Sequence, residues 1–395
     1  MLDLLIIGGG PIGSYLALKA AQSGFSTAVI EEHQLIGEPV HCTGVVGEKL
    51  FNDFPLPTES ILGSLPRFLV ASPSGEEFSI PLTSKVYLID RKTFDQTLAR
   101  LAQKAGVSYY LNTKVTEIEQ QKDHIKVEAR SNGETIPFTS KLGILATGAI
   151  SRLPQTCGLQ LSPGFLGTIQ TDIKLKGLQG AEVYLGHHVA PGSFAYAVSL
   201  NQGEGKIGVI SQGNLKENFQ TLLKHPYLKD RIESIDHQIK PRKMPLGLSE
   251  KTVNWRLASV GDSAGQVKAT TGGGIYFGLK CAELLHQVII GARKNCNFSP
   301  GKIAIYQTRF KKLIGNEVYW GIIVRELFKD ITDPLLNRLV QLLNQPKMQK
   351  LVIQKGEYDA HKKIIIGTLS SPLFREFMWD FFKTKLKKEK HHEPL

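Results

Sequence analysis

Residues 2–33 read LDLLIIGGGPIGSYLALKAAQSGFSTAVIEEH, and the glycines in this segment determine which fold we expect. An apolar run is followed by glycines at positions 8, 10 and 13, then by small residues, and then by a second apolar run that ends in acidic residues. The pattern predicts a strand, a tight turn, a helix that ends near Gly24 and a second strand. This arrangement is a βαβ unit.

The same segment predicts the binding of a dinucleotide. Gly8, Gly10 and Gly13 permit a tight turn, a close approach of the backbone to a pyrophosphate, and close packing of the helix on the strand. The helix N-terminus adds N–H groups and the positive end of a dipole. Glu31 ends the second strand, where a carboxylate can accept hydrogen bonds from a ribose. NAD and FAD both remain open at this point, because both contain an ADP moiety.

A second glycine-rich segment favours FAD. Residues 255–279 read WRLASVGDSAGQVKATTGGGIYFGL, which predicts a short strand, an acidic residue at its end, and a glycine loop that runs into a helix. Asp262 at the strand end can bind a polyol chain, and glycine N–H groups at a helix N-terminus can stabilise negative charge. A reduced flavin develops such charge at its N1 and O2 positions.

Together these segments resemble the FAD-dependent superfamily with the p-hydroxybenzoate hydroxylase fold and, within it, the geranylgeranyl reductase family. The resemblance extends to YLIDRKTFDQTLARLA (87–102) and to LGILATGAISRL (142–153). It implies FAD-binding roles for Gly8, Gly10 and Gly13 (pyrophosphate), Glu31 (adenosine ribose), Arg91 (ribityl and phosphate groups), Gly148 (the turn that closes on the nucleotide), Asp262 (ribityl chain), and Gly272, Gly273 and Gly274 (the loop beside the isoalloxazine ring).

The chain departs from the superfamily's patterns in two places. Hydroxylases often have Asp-Gly where this chain has Thr147-Gly148, which disfavours a hydroxylase. The reductase family often has a YxWxFP motif on its substrate sheet, whereas residues 191–200 here read PGSFAYAVSL. Phe194 and Tyr196 keep the aromatic spacing, but the Trp and the Pro are absent, so the identity of the substrate remains open.

A cysteine in a glycine-rich loop is the candidate catalytic residue. The loop GEPVHCTGVVG (37–47) resembles a Pro-x-x-Cys-x-Gly segment that the family's reductases have near the flavin, with Pro39, Cys42 and Gly44 in the matching positions. Cys42 could steer the substrate, donate a proton or stabilise a charged intermediate, and the alternative is a small loop residue without a catalytic role. His41 is not part of the match; it could deliver protons or be an ordinary polar loop residue.

We expect an α/β fold with an added antiparallel sheet. A discontinuous Rossmann-like FAD-binding domain is predicted from residues 1–60, 87–150 and 255–290, and an inserted substrate-binding β-sheet domain from residues 61–86 and 151–254. Alternating apolar and polar residues predict antiparallel strands within 67–82 and 164–211. Residues 291–395 form a predicted C-terminal helical region with a basic tail. Its apolar faces suit core packing, or alternatively a roof over a long substrate or an edge that faces a membrane.

Composition limits the other possibilities. With 395 residues, 42% hydrophobic and 21% charged, the chain has globular values. Four cysteines without CxxC pairing predict neither a zinc site nor a disulfide framework, and we expect no metal and a reduced cytoplasmic location. No continuous apolar run reaches the ~18 residues of a membrane span. The net charge of +12, partly from KTKLKKEKHH (383–392), suggests nucleic acid, an anionic membrane or a phosphorylated substrate as partner, or simply a solvated tail.

The sequence therefore predicts an FAD-dependent reductase that saturates C=C bonds of a geranylgeranyl-type isoprenoid chain on a lipid or diphosphate substrate. The alternatives are an FAD-dependent monooxygenase of an apolar or aromatic compound, and a flavin-binding protein without turnover. The expected partners are the isoprenoid or lipid substrate and an electron donor, either NAD(P)H or ferredoxin. We further expect peripheral contact with an anionic membrane and no nucleic acid.

Overall fold

The structure is a computed structural model that describes residues 1–40, 42–201, 203–236, 239, 241–294 and 298–390, without the side chains of residues 201, 294 and 382–390. The chain divides into two compact units. The first consists of Met1–Gly63, Tyr87–Phe165 and Lys243–Tyr319, and the second of Ser64–Val86, Leu166–Arg242 and the chain from Trp320 onward.

The secondary structure alternates strands and helices before it becomes helical. The strands are β1 (Leu2–Ile7), β2 (Thr27–Ile30), β3 (Val45–Gly47), β4 (Ile61–Ser64), β5 (Phe68–Ala71), β6 (Glu77–Ile80), β7 (Val86–Ile89), β8 (Ser108–Tyr110), β9 (Lys114–Gln120), β10 (Ile125–Ser131), β11 (Glu134–Leu145), β12 (Gly164–Leu175), β13 (Ala181–Tyr184), β14 (Phe194–Asn201), β15 (Glu204–Ser211), β16 (Ile232–Ile235), β17 (Arg242–Leu246), β18 (Val253–Asn254) and β19 (Leu257–Ser259). The helices are α1 (Pro11–Gln22), α2 (Lys49–Asp53), α3 (Arg91–Lys104), α4 (Leu153–Thr156), α5 (Leu215–Leu222), α6 (Ile275–Lys294), α7 (Pro300–Phe328), α8 (Asp333–Leu343), α9 (Pro346–Lys355), α10 (Lys362–Ser370) and α11 (Pro372–Lys390).

The first unit is built on a sheet with the strand order β18-β19-β11-β1-β2-β8. From β19 to β8 the neighbouring strands are parallel. Strand β10 extends the sheet by antiparallel pairing with β11, and β9 pairs antiparallel with β10. Apart from Thr27, the buried residues of β1 and β2 are apolar on both sides, as expected for strands covered on two faces. Helix α1 begins after Gly10 with Pro11 in its first turn, where a missing N–H costs nothing.

The second unit is built on a sheet with the order β16-β12-β15-β14-β13-β5-β6. Its strands pair antiparallel except for β13 and β5, which are parallel, so the prediction of antiparallel strands was wrong for this one pair. The hydrophobic core of this unit lies between one face of the sheet and α5, where Phe219 and Leu222 pack against strand residues such as Ile169 and Val209.

The C-terminal helices have their own hydrophobic cluster within the second unit. Ile331, Met348, Phe374 and Phe377 are buried together, with Phe374 and Phe377 ring centroids 5.3 Å apart. These apolar side chains of the C-terminal region therefore pack in a hydrophobic core, which is the first of the alternatives that the sequence left open.

The predicted fold class is confirmed: a discontinuous Rossmann-like unit, a second unit on a mostly antiparallel sheet, and a helical C-terminal region. The bounds of the two units differ from the expected bounds because short segments pack into the first core. Cys157 and Leu159 join the core cluster of β1 and β11, and Ser162 Oγ donates to Gly247 O at 2.7 Å. The start of α7 also belongs to the first unit, where Gln266 donates to Tyr306 Oη at 2.6 Å.

Helix α6 has the length and apolar composition that a membrane span requires. Its segment Ile275–Arg293 has a mean hydropathy of 1.2 over the most apolar window, and 61% of that window is buried inside the protein. The buried residues Leu279, Cys281 and Leu285 indicate that α6 packs as a core helix of the first unit.

Candidate cofactor and active site

The glycine turn after β1 brings three backbone segments into contact. A Cβ at Gly8 would lie 2.3 Å from Ala146 O, and a Cβ at Gly13 would lie 2.0 Å from Gly8 O. Gly8 also has φ +107°, which side chains rarely tolerate. At Gly10 nothing lies within 4 Å of the Cβ position. Two of the predicted glycines therefore allow close packing, and the third faces open space.

Glu31 lies at the end of β2 beside this turn. Its Oε2 accepts a hydrogen bond from the Gly9 N–H at 2.7 Å, while Oε1 lies 2.5 Å from His33 Nδ1 and accepts from the His33 N–H at 3.0 Å. A carboxylate has about four acceptor positions, so the group retains capacity for a ribose hydroxyl. The structure thus orients Glu31 at the turn where the sequence predicts a ribose site.

The loop after β11 contains a second opening. Gly148 has φ +72° and nothing within 4 Å of its Cβ position. The neighbouring Thr147 has a buried Oγ1 with no hydrogen-bond partner among the described residues. An unsatisfied buried hydroxyl costs roughly 1–3 kcal/mol, and a polar ligand atom would remove this cost. The two open glycines and this hydroxyl flank the contact between Gly8 and Ala146, so they fit a dinucleotide.

Arg91 connects residues from distant parts of the sequence. It is the first residue of α3, whose N-cap Asp90 accepts from the Lys92 N–H at 3.2 Å. Arg91 Nη2 donates to both carboxylate oxygens of Asp95, at 3.2 and 2.9 Å. Burial disfavours the charge of Arg91, but Asp95 and Cys42 outweigh it and raise the pKa of the guanidinium.

Cys42 therefore lies within the electrostatic reach of Arg91. Its Sγ also accepts a hydrogen bond from the Gly44 N–H at 3.4 Å. The loop is fixed on the other side, because a Cβ at Gly44 would lie 2.2 Å from Ile89 O in β7. His41 lies outside the described residues. Of the loop residues singled out from the sequence, the structure brings Cys42 and Gly44 to the start of α3.

Asp262 follows β19 and lies against the glycine loop before α6. A Cβ at Gly274 would be 2.7 Å from Asp262 Oδ1, so only glycine leaves room for the carboxylate. Burial raises the pKa of the Asp262 carboxyl, and the Arg91 guanidinium opposes this rise. Arg91 thus interacts electrostatically with both Cys42 and Asp262, and residues 42, 91 and 262 belong to one cluster.

The side chains of Met244 and Lys268 pack against the loop of Gly272, Gly273 and Gly274. A Cβ at Gly272 would lie 2.0 Å from Met244 Sδ, and a Cβ at Gly273 would lie 2.7 Å from Lys268 Cε. Met244 and Lys268 are both buried. Sequence reasoning missed Lys268, Asp95 and Thr147, although a lysine inside a run of small and apolar residues is a signal that could have been used.

Several known proteins are similar to this chain in sequence. Residues 2–180 match the family described as pyridine nucleotide-disulphide oxidoreductase. A relative named digeranylgeranylglycerophospholipid reductase 1, from Methanococcoides burtonii, is 29% identical over 98% of this chain and 99% of its own. A relative named digeranylgeranylglycerophospholipid reductase, from Methanocaldococcus jannaschii, is 28% identical over 87% of this chain and 90% of its own.

A solved structure shares the fold over nearly the whole chain. A geranylgeranyl bacteriochlorophyll reductase-like protein from Thermoplasma acidophilum superimposes with a TM-score of 0.82 and 22% identity, over 95% of this chain and 98% of its own. The resemblance predicted from the sequence is therefore confirmed: over most of its length the chain is similar to proteins named as digeranylgeranylglycerophospholipid reductases, and it has the same fold as the Thermoplasma acidophilum protein.

Proposed function

We propose that this protein is an FAD-dependent reductase that saturates C=C bonds of an isoprenoid chain on a lipid or diphosphate substrate. The observation on which the proposal depends is the cluster in which Arg91 interacts with both Cys42 and Asp262. The cluster connects a thiol suited to the reacting end of a substrate with a carboxylate suited to a ribityl chain. The names of the relatives support the choice of substrate class.

FAD is the proposed cofactor, bound mainly by the first unit. Gly10 and Gly148 leave space for the pyrophosphate, Glu31 accepts hydrogen bonds from the adenosine ribose, and Asp262 binds hydroxyls of the ribityl chain. When bound, FAD supplies hydride transfer from N5 of its isoalloxazine ring, which the protein orients and shields from water. We assign the isoprenoid chain to the second unit, where Phe194 and Tyr196 lie on β14.

Saturation of a C=C bond adds a hydride to one carbon and a proton to the other. We propose that Cys42 holds the proton for the second carbon, because its Sγ is oriented by the Gly44 N–H at 3.4 Å in a loop that packs against β7. General acids typically contribute about 10²- to 10⁴-fold to the rate. Cys42→Ala should lose turnover by a factor in this range while it keeps its FAD content and its fold, and Thr43→Ala is the control in the same loop. Parent turnover and parent products in Cys42→Ala would exclude the role.

The cofactor itself is tested on the purified protein. We expect a yellow protein whose FAD is released on denaturation, because no residue is proposed to attach it covalently. Asp262→Ala should lower FAD loading through the lost polyol contact, whereas Asp172→Ala, whose carboxylate pairs with Lys206 at 2.8 Å on the second sheet, should not. A folded protein that cannot be loaded with FAD would overturn the proposal.

Anaerobic turnover distinguishes this reductase from a monooxygenase of the same fold. NADPH, NADH and reduced ferredoxin are offered separately, and the donor is the one that bleaches the bound flavin. Addition of a geranylgeranylated lipid should then restore the oxidised spectrum, with a mass gain of two hydrogens for each saturated bond. Product that forms only in the presence of oxygen would contradict a reductase.

We further propose reversible contact with an anionic membrane. The backbone of α11 continues through the basic segment to Lys390, and Trp379 on the same helix has an exposed fraction of 63%. Each Lys near an anionic surface contributes on the order of 1 kcal/mol, and salt screens this contribution. Flotation with phosphatidylserine vesicles should therefore fall as salt rises, and equal binding to neutral vesicles would exclude the contact.

A further inference from the structure

Lys268 has an unusual place for a lysine, since it lies in the glycine loop with an exposed fraction of only 5%. Its backbone belongs to the loop, because the Lys268 N–H donates to Gly273 O at 3.1 Å and Lys268 O accepts from the Gly272 N–H at 2.8 Å. Its side chain folds back onto the same loop. A Cβ at Gly273 would lie 2.7 Å from Lys268 Cε and 3.3 Å from Nζ.

The loop is therefore flanked by two side chains of opposite charge. Lys268 occupies the space beside Gly273, and the Asp262 carboxylate occupies the space beside Gly274. Removing an ammonium group from water costs free energy, so apolar packing alone would favour a residue such as Met at this position. A fixed charge in such a place acts strongly on its surroundings, because the local dielectric constant is low and water cannot reorient.

We propose that Lys268 stabilises the negative charge that the flavin acquires at N1 and O2 on reduction, and thereby raises the flavin's reduction potential. This inference rests on the proposed binding of FAD beside Gly272, Gly273 and Gly274. The loop already offers N–H dipoles, and the ammonium adds a full positive charge. This charge is in place before the flavin is reduced. Lys268 then favours the uptake of electrons from the donor.

The test is the midpoint potential of the FAD-loaded full chain, measured anaerobically against a reference dye. Lys268→Met keeps the length of the side chain and removes its charge. We expect reduced FAD to become at least tenfold less stable relative to oxidised FAD, which is about 30 mV for a two-electron couple. Lys268→Arg keeps the charge and should stay close to the parent potential.

Lys280→Met is the control for net charge. Lys280 lies on α6 with its Nζ 5.0 Å from the ring centroid of Tyr276, and the substitution changes the charge of the same unit by the same amount. Equal potentials in Lys268→Met and the parent, both with FAD bound, would overturn the inference and leave the FAD proposal intact. An equal shift in Lys280→Met would overturn it too. A parent protein that binds no FAD would overturn both proposals.

A second variant covers the case in which Lys268→Met does not fold. Gly273→Ala keeps every charge but places a methyl 2.7 Å from Lys268 Cε, so the side chain must move. We expect the potential to fall in the same direction. An unchanged potential in Gly273→Ala, with a changed Lys268 position in a crystal structure, would contradict the proposal.

Discussion

Gly13→Ala should lower the stability of the fold, whereas Gly10→Ala should leave it nearly unchanged and weaken the binding of FAD. At Gly13 the added Cβ would lie 2.0 Å from Gly8 O, whereas such contacts essentially never fall below 3.0 Å, so α1 must move from β1 by about 1 Å. Both contacting atoms belong to the first βαβ unit, and overpacking of this kind costs about 1–3 kcal/mol. We expect the thermal midpoint of the FAD-free protein to fall by about 2–12 °C.

At Gly10 the same methyl meets nothing within 4 Å, and the φ of −65° suits alanine. The loss of a glycine N-cap and the reduced entropy of the unfolded chain oppose each other, so the midpoint should change little. The methyl instead enters the open space that we assign to the pyrophosphate. FAD affinity should fall at least tenfold, about 1.4 kcal/mol.

The assay pairs a thermal melt of FAD-free protein with a titration of FAD by quenching of flavin fluorescence. The expected pattern is a lowered midpoint in Gly13→Ala, and a parent midpoint with weakened FAD binding in Gly10→Ala. Parent-like FAD affinity in Gly10→Ala would refute the assignment of the open space. A midpoint loss in Gly10→Ala as large as that in Gly13→Ala would refute the steric argument.

Three further predictions concern single side chains. Thr147→Val should leave the free protein as stable or more stable, because the lost hydroxyl has no partner among the described residues, and should weaken FAD binding in the same titration. Arg231→Met should cost about 3–5 kcal/mol in urea unfolding, since it leaves the fully buried Glu182 without its two hydrogen bonds of 2.8 Å, and an added Glu182→Leu should recover much of the loss. His286, Tyr15 and Lys19 together lower the pKa of Glu283 from 4.5 to about 2; Tyr15 Oη donates to Glu283 Oε2 at 2.9 Å, and His286 Nδ1 lies 4.0 Å from Oε1. These interactions stabilise the fold above the unfolded pKa of Glu283 and are lost as pH falls toward 2, so between these pH values Glu283→Gln should lose ~1–3 kcal/mol less stability than the parent, measured by urea unfolding.

Sequence reasoning could predict those features of the site and fold that depend on residues close together in the sequence. Gly13 is required by its contact with Gly8 within one βαβ unit, and Gly8 by its own φ of +107°. The spacing of the glycines indicates both requirements. The fold class followed from the same spacing together with the alternation of apolar residues in β12, β14 and β15. These patterns repeat over a few residues, so they can be recognised without knowledge of distant partners.

The parts that the sequence did not predict depend on contacts between distant segments. Asp95 looks like one more polar residue on a helix, and only the three hydrogen bonds that it accepts from Arg91 distinguish it. The bounds of the first unit depend on where Leu159 and the start of α7 pack, and no local sequence pattern predicts this packing. For Lys268, the sequence shows only a lysine inside a run of small and apolar residues. Its contact with Gly273 is seen only in the structure.

The features that support a ligand site are those that reduce the stability of the free protein. The Thr147 hydroxyl, which has no partner among the described residues, the buried Lys268 ammonium and the buried Asp262 carboxyl, whose pKa is raised, all leave water on folding, and this costs free energy. Natural proteins break local rules of this kind mainly at functional sites. All three lie in the first unit, in the loops after β11 and β19. A bound dinucleotide with a polar group at the loop after β11 would give the Thr147 hydroxyl a partner, so FAD binding should raise the thermal midpoint by more in the parent than in Thr147→Val.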